Sequence, residues 1–582
     1  MLRAWLVNRV ATVLRFLAPL MGCLILAGQA NCAPVGDWLG VMTVQPGTDL
    51  RIAVHIRQSP RGDYSATWDS VDQGLFDASM SGLAVTADSL SFDVGNLHAH
   101  YAARWDASAG LWRGQWSQSG RTFALNLAPG MAPPAPVIAG LDGDWDGALA
   151  LGAGVKLRLA VHIKTGPHGT LGHLDSVDQQ AMGLPLSSIH RDGDRIGFEL
   201  AAPKAAFEGM IDAKAQTLTG QWSQSGSSLP LMLTRRAPGQ VEATLVRPQT
   251  PVKPYPYREE DVVFDGGAPN VRLAGTLTEP KGDGPFPAVV LVSGSGPNAR
   301  NEAIFGHQIF LVLADHLTRQ GNAVLRYDKR GVGASTGDYA KATTLDFVAD
   351  AQAAAAYLRA RKDIDPRRVG LVGHSEGGLI VPMVAVRDPS TAFIVMMAGP
   401  GVNGADILTL QGRLLTKAAG MSDAQVDAQS ALRAQMIAIV RDEKDPAVAE
   451  AKLRAVAAAA PKLEGVSPAA MDAQIRALNT DWFRFFFNYD PAPVLRQVRC
   501  PVLAISGSKD LQVPPDQNLP AIRAALAHDP DADIEELPGL NHLFQTAKTG
   551  GIGEYGQIEE TIAPLALDTF TLWILKHDGA RN

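Results

Sequence analysis

Residues 50–56, LRIAVHI, alternate apolar and polar side chains, and so do SLSFDVG (89–95) and FALNLA (123–128), with Gly, Asp and Ser between such segments. A period of two puts every second side chain on one face of a strand, so this part of the chain predicts a β-meander with one buried face. From about residue 258 the pattern changes. Near-continuous apolar runs such as PAVVLVS, NAVLRYD, RVGLVGH, AFIVMMAG and PVLAISG alternate with amphipathic stretches, among them IFLVLADHLTRQ and TLDFVADAQAAAAYLRAR. Strands apolar on both faces and separated by helices predict a mainly parallel sheet covered on both sides, an α/β domain.

The β-rich part is duplicated. GDW at 36–38 returns at 143–145, LRIAVHI at 50–56 becomes LRLAVHI at 157–163, DSVDQ recurs at 69–73 and 175–179, and GQWSQSG at 114–120 and 220–226. The order and spacing define two all-β repeats, 34–130 and 140–238, with the Pro-rich PGMAPPAPV at 129–137 between them. Each copy is expected to form a small barrel or sandwich, or the two to close into one larger sheet structure. The repeated His55 and His162 each stand alone at one place in a strand, which favours packing over metal ligation. Trp38, Trp145, Trp116 and Trp222 are read as anchors of equivalent cores rather than a sugar platform. A second Pro-rich linker, 239–257, precedes the α/β domain at 258–582 and favours an extended, solvated conformation.

The first thirty residues stand apart: Arg3, Arg9 and Arg15 precede the apolar FLAPLMGCLILA, and Gly28 and Ala30 occupy the small-residue positions of a cleavage site. This is the pattern of a secretory signal, 1–30, and the apolar run is too short to span a bilayer. An exported protein, periplasmic or extracellular, with no stable membrane span after cleavage is the expectation. LMGC at 20–23 resembles a lipoprotein box, but lipidation at Cys23 would leave apolar CLILAG at the mature start. Cys32 and Cys500 are too few for a disulfide framework. With 59 acidic and 52 basic residues and a formal charge of -7 spread without long runs, nothing marks a nucleic-acid partner.

The pattern G-x-S-x-G occurs twice, around Ser335 and around Ser375. It carries meaning where a strand enters and a helix leaves, because the sharp turn needs small flanking residues. Ser375 follows the strand-like VGLV and precedes GGLIVPMVAV; Ser335 sits in the polar loop RYDKRGVGAST. Ser375 is therefore the candidate nucleophile and Ser335 a loop residue with a capping or backbone-bonding role. A serine hydroxyl needs a histidine to take its proton and a carboxylate to orient that histidine. Asp510 lies just past the strand-like PVLAISG, and His542 lies in GLNHLFQ after the β-type ADIEELP, in the required order Ser, Asp, His. Asp516, deeper in a helix-like segment, and His577, at the end of the terminal helix, are decoys. The oxyanion calls for two backbone N–H donors, assigned to Glu376 after the nucleophile and to Ser295 in the loop after VVLV.

GSGPNARNE, DKRGVGAST, GHSEGG, SGSKDLQVP and LPGLNHLFQ, in this order, resemble the secreted bacterial α/β-hydrolase serine esterases, including the thermophilic carboxylesterase group with an extra N-terminal domain. The resemblance covers about 258–582. It implies an α/β-hydrolase fold, a Ser375, Asp510 and His542 triad, and hydrolysis of carboxylic esters through an acyl-enzyme, with no cofactor and no metal. Ser293 stands where many such proteins have a histidine before the glycine. The residues at about 403–490 are expected to form a helical lid, with Phe485, Phe486 and Tyr489 as candidate pocket residues or core contacts. The reading is a serine carboxylesterase acting on short-chain, small-molecule esters. Its alternatives are a serine peptidase of the same fold, for which the lid sequence offers no acidic cluster to hold a substrate amino terminus, and an inert glycan-binding protein.

Overall fold

The alternating segments of the first copy form ten antiparallel strands in two five-stranded sheets. One sheet holds Gly36–Gln45, Thr48–Gln58, Tyr64–Ser70, Leu75–Ser79 and Ala128–Pro129; the other holds Ser81–Val85, Ser89–Val94, Ala99–Asp106, Leu111–Gln118 and Arg121–Ala124. The structure, a computed structural model, describes residues 35–578 apart from 46–47, 98, 119–120, 153–154, 180, 202–203, 225, 238, 241–245 and 461–467. The signal sequence expected over 1–30, with Cys23, and Cys32 beyond it, lies outside the described residues. Tryptophans fill the first module's core: Trp38 meets Trp105 and Trp112 edge-on at 5.8 and 6.0 Å, and Trp68 meets Trp116 at 5.5 Å.

The second copy is a single nine-stranded antiparallel sheet in which the first strand, β1 (Gly143–Gly152), pairs with both β2 (Val155–Gly166) and the last, β4 (Ser227–Arg235). β3 (Gly169–Ser176) continues the sheet beyond β2. Its inward residues form one core that includes Trp145, Phe198, Phe207 and Trp222. The repeat-equivalent tryptophans are buried in both copies. By contact density the chain divides into one unit holding most of the first module and another holding the second module with the α/β region.

The second linker is fastened rather than solvated throughout. Arg247 donates to the carbonyls of Phe305 and Gly556, Gln249 bonds the backbone of Thr561 and Ile562, and the Tyr257 hydroxyl donates to Asp315 at 2.8 Å. Proline removes N–H donors but leaves intervening side chains free to bond, which the composition of the segment alone does not reveal.

The α/β region is built on eight strands: β5 (Arg258–Asp265), β6 (Arg272–Glu279), β7 (Phe286–Val292), β8 (Ala323–Tyr327), β9 (Ile364–His374), β10 (Ile394–Met397), β11 (Val502–Gly507) and β12 (Ala532–Leu537). Their spatial order is β5-β6-β8-β7-β9-β10-β11-β12, antiparallel at β5 and β6 and parallel from β8 onward. Successive β7 residues feed opposite cores: Val290 and Val292 pack with α2 (Thr344–Arg359) and α3 (Glu376–Arg387), while Val289 and Leu291 pack with α1 (Ile309–Arg319) and the terminal helix Pro564–His577. This two-sided burial is why the strands read as unbroken apolar runs. Between β10 and β11 the chain leaves the sheet as α4 (Gly404–Ala418), α5 (Asp423–Asp442), α6 (Pro446–Ala459), α7 (Pro468–Leu478) and α8 (Asp481–Asn488).

Candidate active site

β9 ends at His374 and α3 begins at Glu376, so Ser375 alone makes the turn, at φ 54° and ψ −116°. That left-handed conformation costs a side-chain-bearing residue on the order of 1–3 kcal/mol and persists only where the surroundings enforce it. They do: a Cβ at Gly373 would lie 2.1 Å from the Gly377 carbonyl oxygen, and one at Gly377 would lie 2.0 Å from that of Val292. The Ser375 N–H donates to Met397 O at 2.8 Å, fixing the turn against β10. Ser335, the other candidate, donates its hydroxyl to Asp328 O at 2.7 Å and accepts from Ala274 N at 2.9 Å, so it clamps a loop.

His542 reaches the same rim from the loop after β12. Asn541, fully buried, shapes that loop: its Oδ1 accepts from the N–H groups of Leu543 and Gln545, both at 3.0 Å. His542 Nδ1 is 2.8 Å from Asp510 Oδ2, and the other Asp510 oxygen accepts from the N–H groups of Gln512 and Val513 at 2.8 and 2.9 Å. With three donors the Asp510 carboxylate is held as an acceptor, so Nδ1 carries the proton and Nε2 is left as the basic nitrogen. The residue before Ser375 ties the two loops together: His374 Nε2 donates to His542 O at 3.0 Å, with the two rings 4.9 Å apart. Asp516 is exposed on its helix, and His577 bonds Trp573 O at 2.9 Å and stacks on that indole. Neither decoy belongs to this rim.

His374 itself is buried against Glu302, whose Oε1 is 3.0 Å from Nδ1. Burial works against a charged ring, but the Glu302 charge and hydrogen bond, with the His542 carbonyl, outweigh it and lift His374 above the ordinary histidine range. The same Glu302 oxygen accepts the Gly294 N–H at 2.6 Å. Gly294 is thereby committed, and the next residue of the loop, Ser295, lines a cavity together with Ser375 and Glu376. Glu376 is the first residue of α3, where N–H groups have no intrahelical acceptor. Both predicted donor positions therefore border the cavity that Ser375 lines.

The Glu376 side chain is a feature the sequence reading missed. It is buried, and its carboxylate accepts from Thr344 Oγ1 at 2.8 Å, Trp482 Nε1 at 2.6 Å and Lys329 Nζ at 3.1 Å. Lys329 also donates to Gly294 O at 2.6 Å and lies over the Phe347 ring at 4.4 Å. One buried ion pair thus joins the Ser295 loop, the turn at Ser375 and the lid. Charged residues in DKRG and GHSEGG read as loop polarity from sequence; only an all-apolar environment on neighbouring strands hints that they must be paired.

The cavity measures about 680 Å³. Trp482, Phe483 and Phe486 of α8 and Ile407 and Leu408 of α4 line it opposite Ser375. Of the lid aromatics singled out earlier, Phe486 lines the cavity, while Phe485 and Tyr489 stack on each other at 5.1 Å and pack on the main core. α8 presents two faces, and a run of consecutive aromatics does not say which face meets the pocket.

Residues 289–548 match the alpha/beta hydrolase family. Esterase EstD of Thermotoga maritima is 27% identical over 348 residues, 58% of this chain and 75% of EstD. Among solved structures, an esterase of Pyrococcus furiosus aligns over 58% of this chain and 99% of its own at 14% identity and a TM-score of 0.36. A proline iminopeptidase of Mycobacterium smegmatis aligns over 56% of this chain and 100% of its own at 19% identity and a TM-score of 0.35. The family match and the similarity to EstD show that residues 289–548 form an alpha/beta hydrolase domain and that the chain is a hydrolase similar to an esterase of that fold.

Proposed function

We propose that the protein is a serine carboxylesterase that hydrolyses short-chain carboxylic esters through an acyl-enzyme on Ser375. The observation that carries this reading is the Asp510–His542 pair, 2.8 Å apart and buried, with the His542 carbonyl bonded to the residue preceding Ser375. His542 takes the Ser375 proton as the hydroxyl attacks the ester carbonyl, and the N–H groups of Glu376 and Ser295 hold the oxyanion. The alkoxide leaves with the proton carried by His542. Water then attacks the acyl-enzyme with His542 again as base, releasing the acid and restoring the serine. No cofactor enters this scheme.

The cavity favours esters over peptides with a free amino terminus. Among the described residues lining it, Glu376 is the one carboxylate, and three donors already occupy it. An incoming ammonium group would have to displace Lys329. The apolar wall of Trp482, Phe483 and Phe486 suits a hydrocarbon acyl or alcohol group. Turnover of p-nitrophenyl butyrate against an aminoacyl p-nitroanilide tests the reading: the butyrate is expected to be cleaved by wild type and not by Ser375→Ala, and a preference for the anilide overturns it. The leader pattern supports export, so the mature protein is expected in the periplasmic or extracellular fraction.

A further inference from the structure

The two β-modules repeat an Asp-His-Asp arrangement with one instructive difference. In the first, His55 bridges Asp37 through Nδ1 at 2.8 Å and Asp69 through Nε2 at 2.9 Å, both ordinary hydrogen-bond lengths. In the second, His162 Nδ1 is 2.7 Å from Asp144, but Nε2 stands 3.3 Å from Asp175 Oδ2. The second copy also has His173 where the first has Thr67. His173 lies directly opposite His162 across the β2–β3 ladder, and Asp175, two residues on, shares its face. The imidazole rings are 4.5 Å apart, and the candidate ligand atoms of His162, His173 and Asp175 all lie within 4.8 Å of one another.

We propose that His162, His173 and Asp175 form a site for a divalent transition metal of the zinc class. Bond lengths of about 2.0–2.1 Å at a tetrahedral zinc put neighbouring ligand atoms about 3.3–3.4 Å apart, the spacing found between His162 Nε2 and Asp175 Oδ2. The surroundings hold those atoms ready. Asp144, opposite His162 on β1, accepts the hydrogen bond from Nδ1–H and so turns the Nε2 lone pair toward the site, the usual carboxylate support of a metal-bound histidine. The Gly183 N–H occupies Asp175 Oδ1 at 2.5 Å, which leaves Oδ2 for the ion. His173 is exposed and gives solvent and metal a way in. Two imidazoles with one carboxylate select zinc, nickel or cobalt over magnesium and calcium. Three protein ligands leave a coordination position for water, and the bound ion joins β2 to β3.

The test uses untagged full-length protein, freed of metal and dialysed against micromolar zinc, with bound metal counted by mass spectrometry. Wild type is expected to hold one equivalent, and His173→Thr none. Asp144→Asn should bind about 10–100-fold more weakly, as loss of a supporting carboxylate does. In wild type, cobalt should produce the intense visible bands of a four-coordinate site, and excess magnesium should not remove them. Because His173 is exposed and threonine occupies its counterpart, the variant is expected to keep the wild-type circular dichroism. Wild type without a stoichiometric metal, or His173→Thr that retains it, overturns the proposal.

Discussion

Replacing Lys329 with methionine tests whether one buried ion pair holds the hydrolytic site together. The side chains of Lys329 and Glu376 are 4% and 2% exposed and 3.1 Å apart. Methionine keeps much of the volume and removes the charge, leaving Glu376 with the neutral donors Thr344 and Trp482. Removing one partner of a buried pair costs about 3–5 kcal/mol, chiefly through the stranded charge. The substitution also frees Gly294 O and loosens the loop carrying Ser295; loss of one oxyanion donor costs about 2.7–4 kcal/mol, or 10²–10³-fold in kcat. Urea unfolding followed by fluorescence and by residual esterase activity reads the first effect, and kcat on p-nitrophenyl butyrate reads the second. Adding Glu376→Gln to Lys329→Met should recover part of the stability, because the double variant strands no charge. A Lys329→Met protein within about 1 kcal/mol of wild type, or a double variant less stable than the single one, would refute this reasoning.

Asp510→Asn should lower kcat by about 10⁴-fold by favouring the wrong His542 tautomer, with the fold intact by circular dichroism; a loss under tenfold contradicts the assigned role. His307 is buried, donating from Nε2 to Tyr555 O at 2.9 Å and accepting at Nδ1 from Thr561 at 3.0 Å, and burial pushes it down to about 4. Its folded value lies below the unfolded one, so the stability it supports is present above about pH 6.5 and is lost between there and about pH 4, roughly 3 kcal/mol in all. His307→Gln should flatten that acid limb in urea titrations. His374, raised by Glu302, acts in the opposite sense: its contribution is full below about pH 6.5 and is lost as pH rises through its folded value, so Glu302→Gln should weaken the protein most on the acid side. Trp482→Phe removes the lid's hydrogen bond to Glu376, worth about 1.5–3 kcal/mol to a charged acceptor, and should raise KM more than it lowers kcat.

Legibility followed the range of the interaction. The turn at Ser375 was readable because its requirements are local: an apolar strand, two flanking glycines and a helix. The meeting of Asp510 and His542 was readable because strand ends in a parallel sheet point to one edge. Glu302, Lys329 and Trp482 were not. Each is an ordinary polar or aromatic residue in its own segment, and its role arises only when distant parts of the chain meet: Lys329 and Trp482 at Glu376, 47 and 106 residues away, and Glu302 at His374, 72 residues away. His173 shows the same limit in the β-modules. His162 looked solitary along its strand, and its neighbour came from the next strand through the pairing register, which a search for ligand spacing within one segment does not see. The duplication itself predicted equivalent cores and their buried tryptophans, yet the first copy splits into two sheets and the second forms one.

Labelling with a fluorophosphonate followed by peptide mass mapping tests the central assignment most directly. The account predicts a single adduct on Ser375, abolished together with ester hydrolysis in Ser375→Ala, and greatly slowed in a folded His542→Ala protein. An adduct on another residue, or a Ser375→Ala protein that still hydrolyses esters at the wild-type rate, would contradict it.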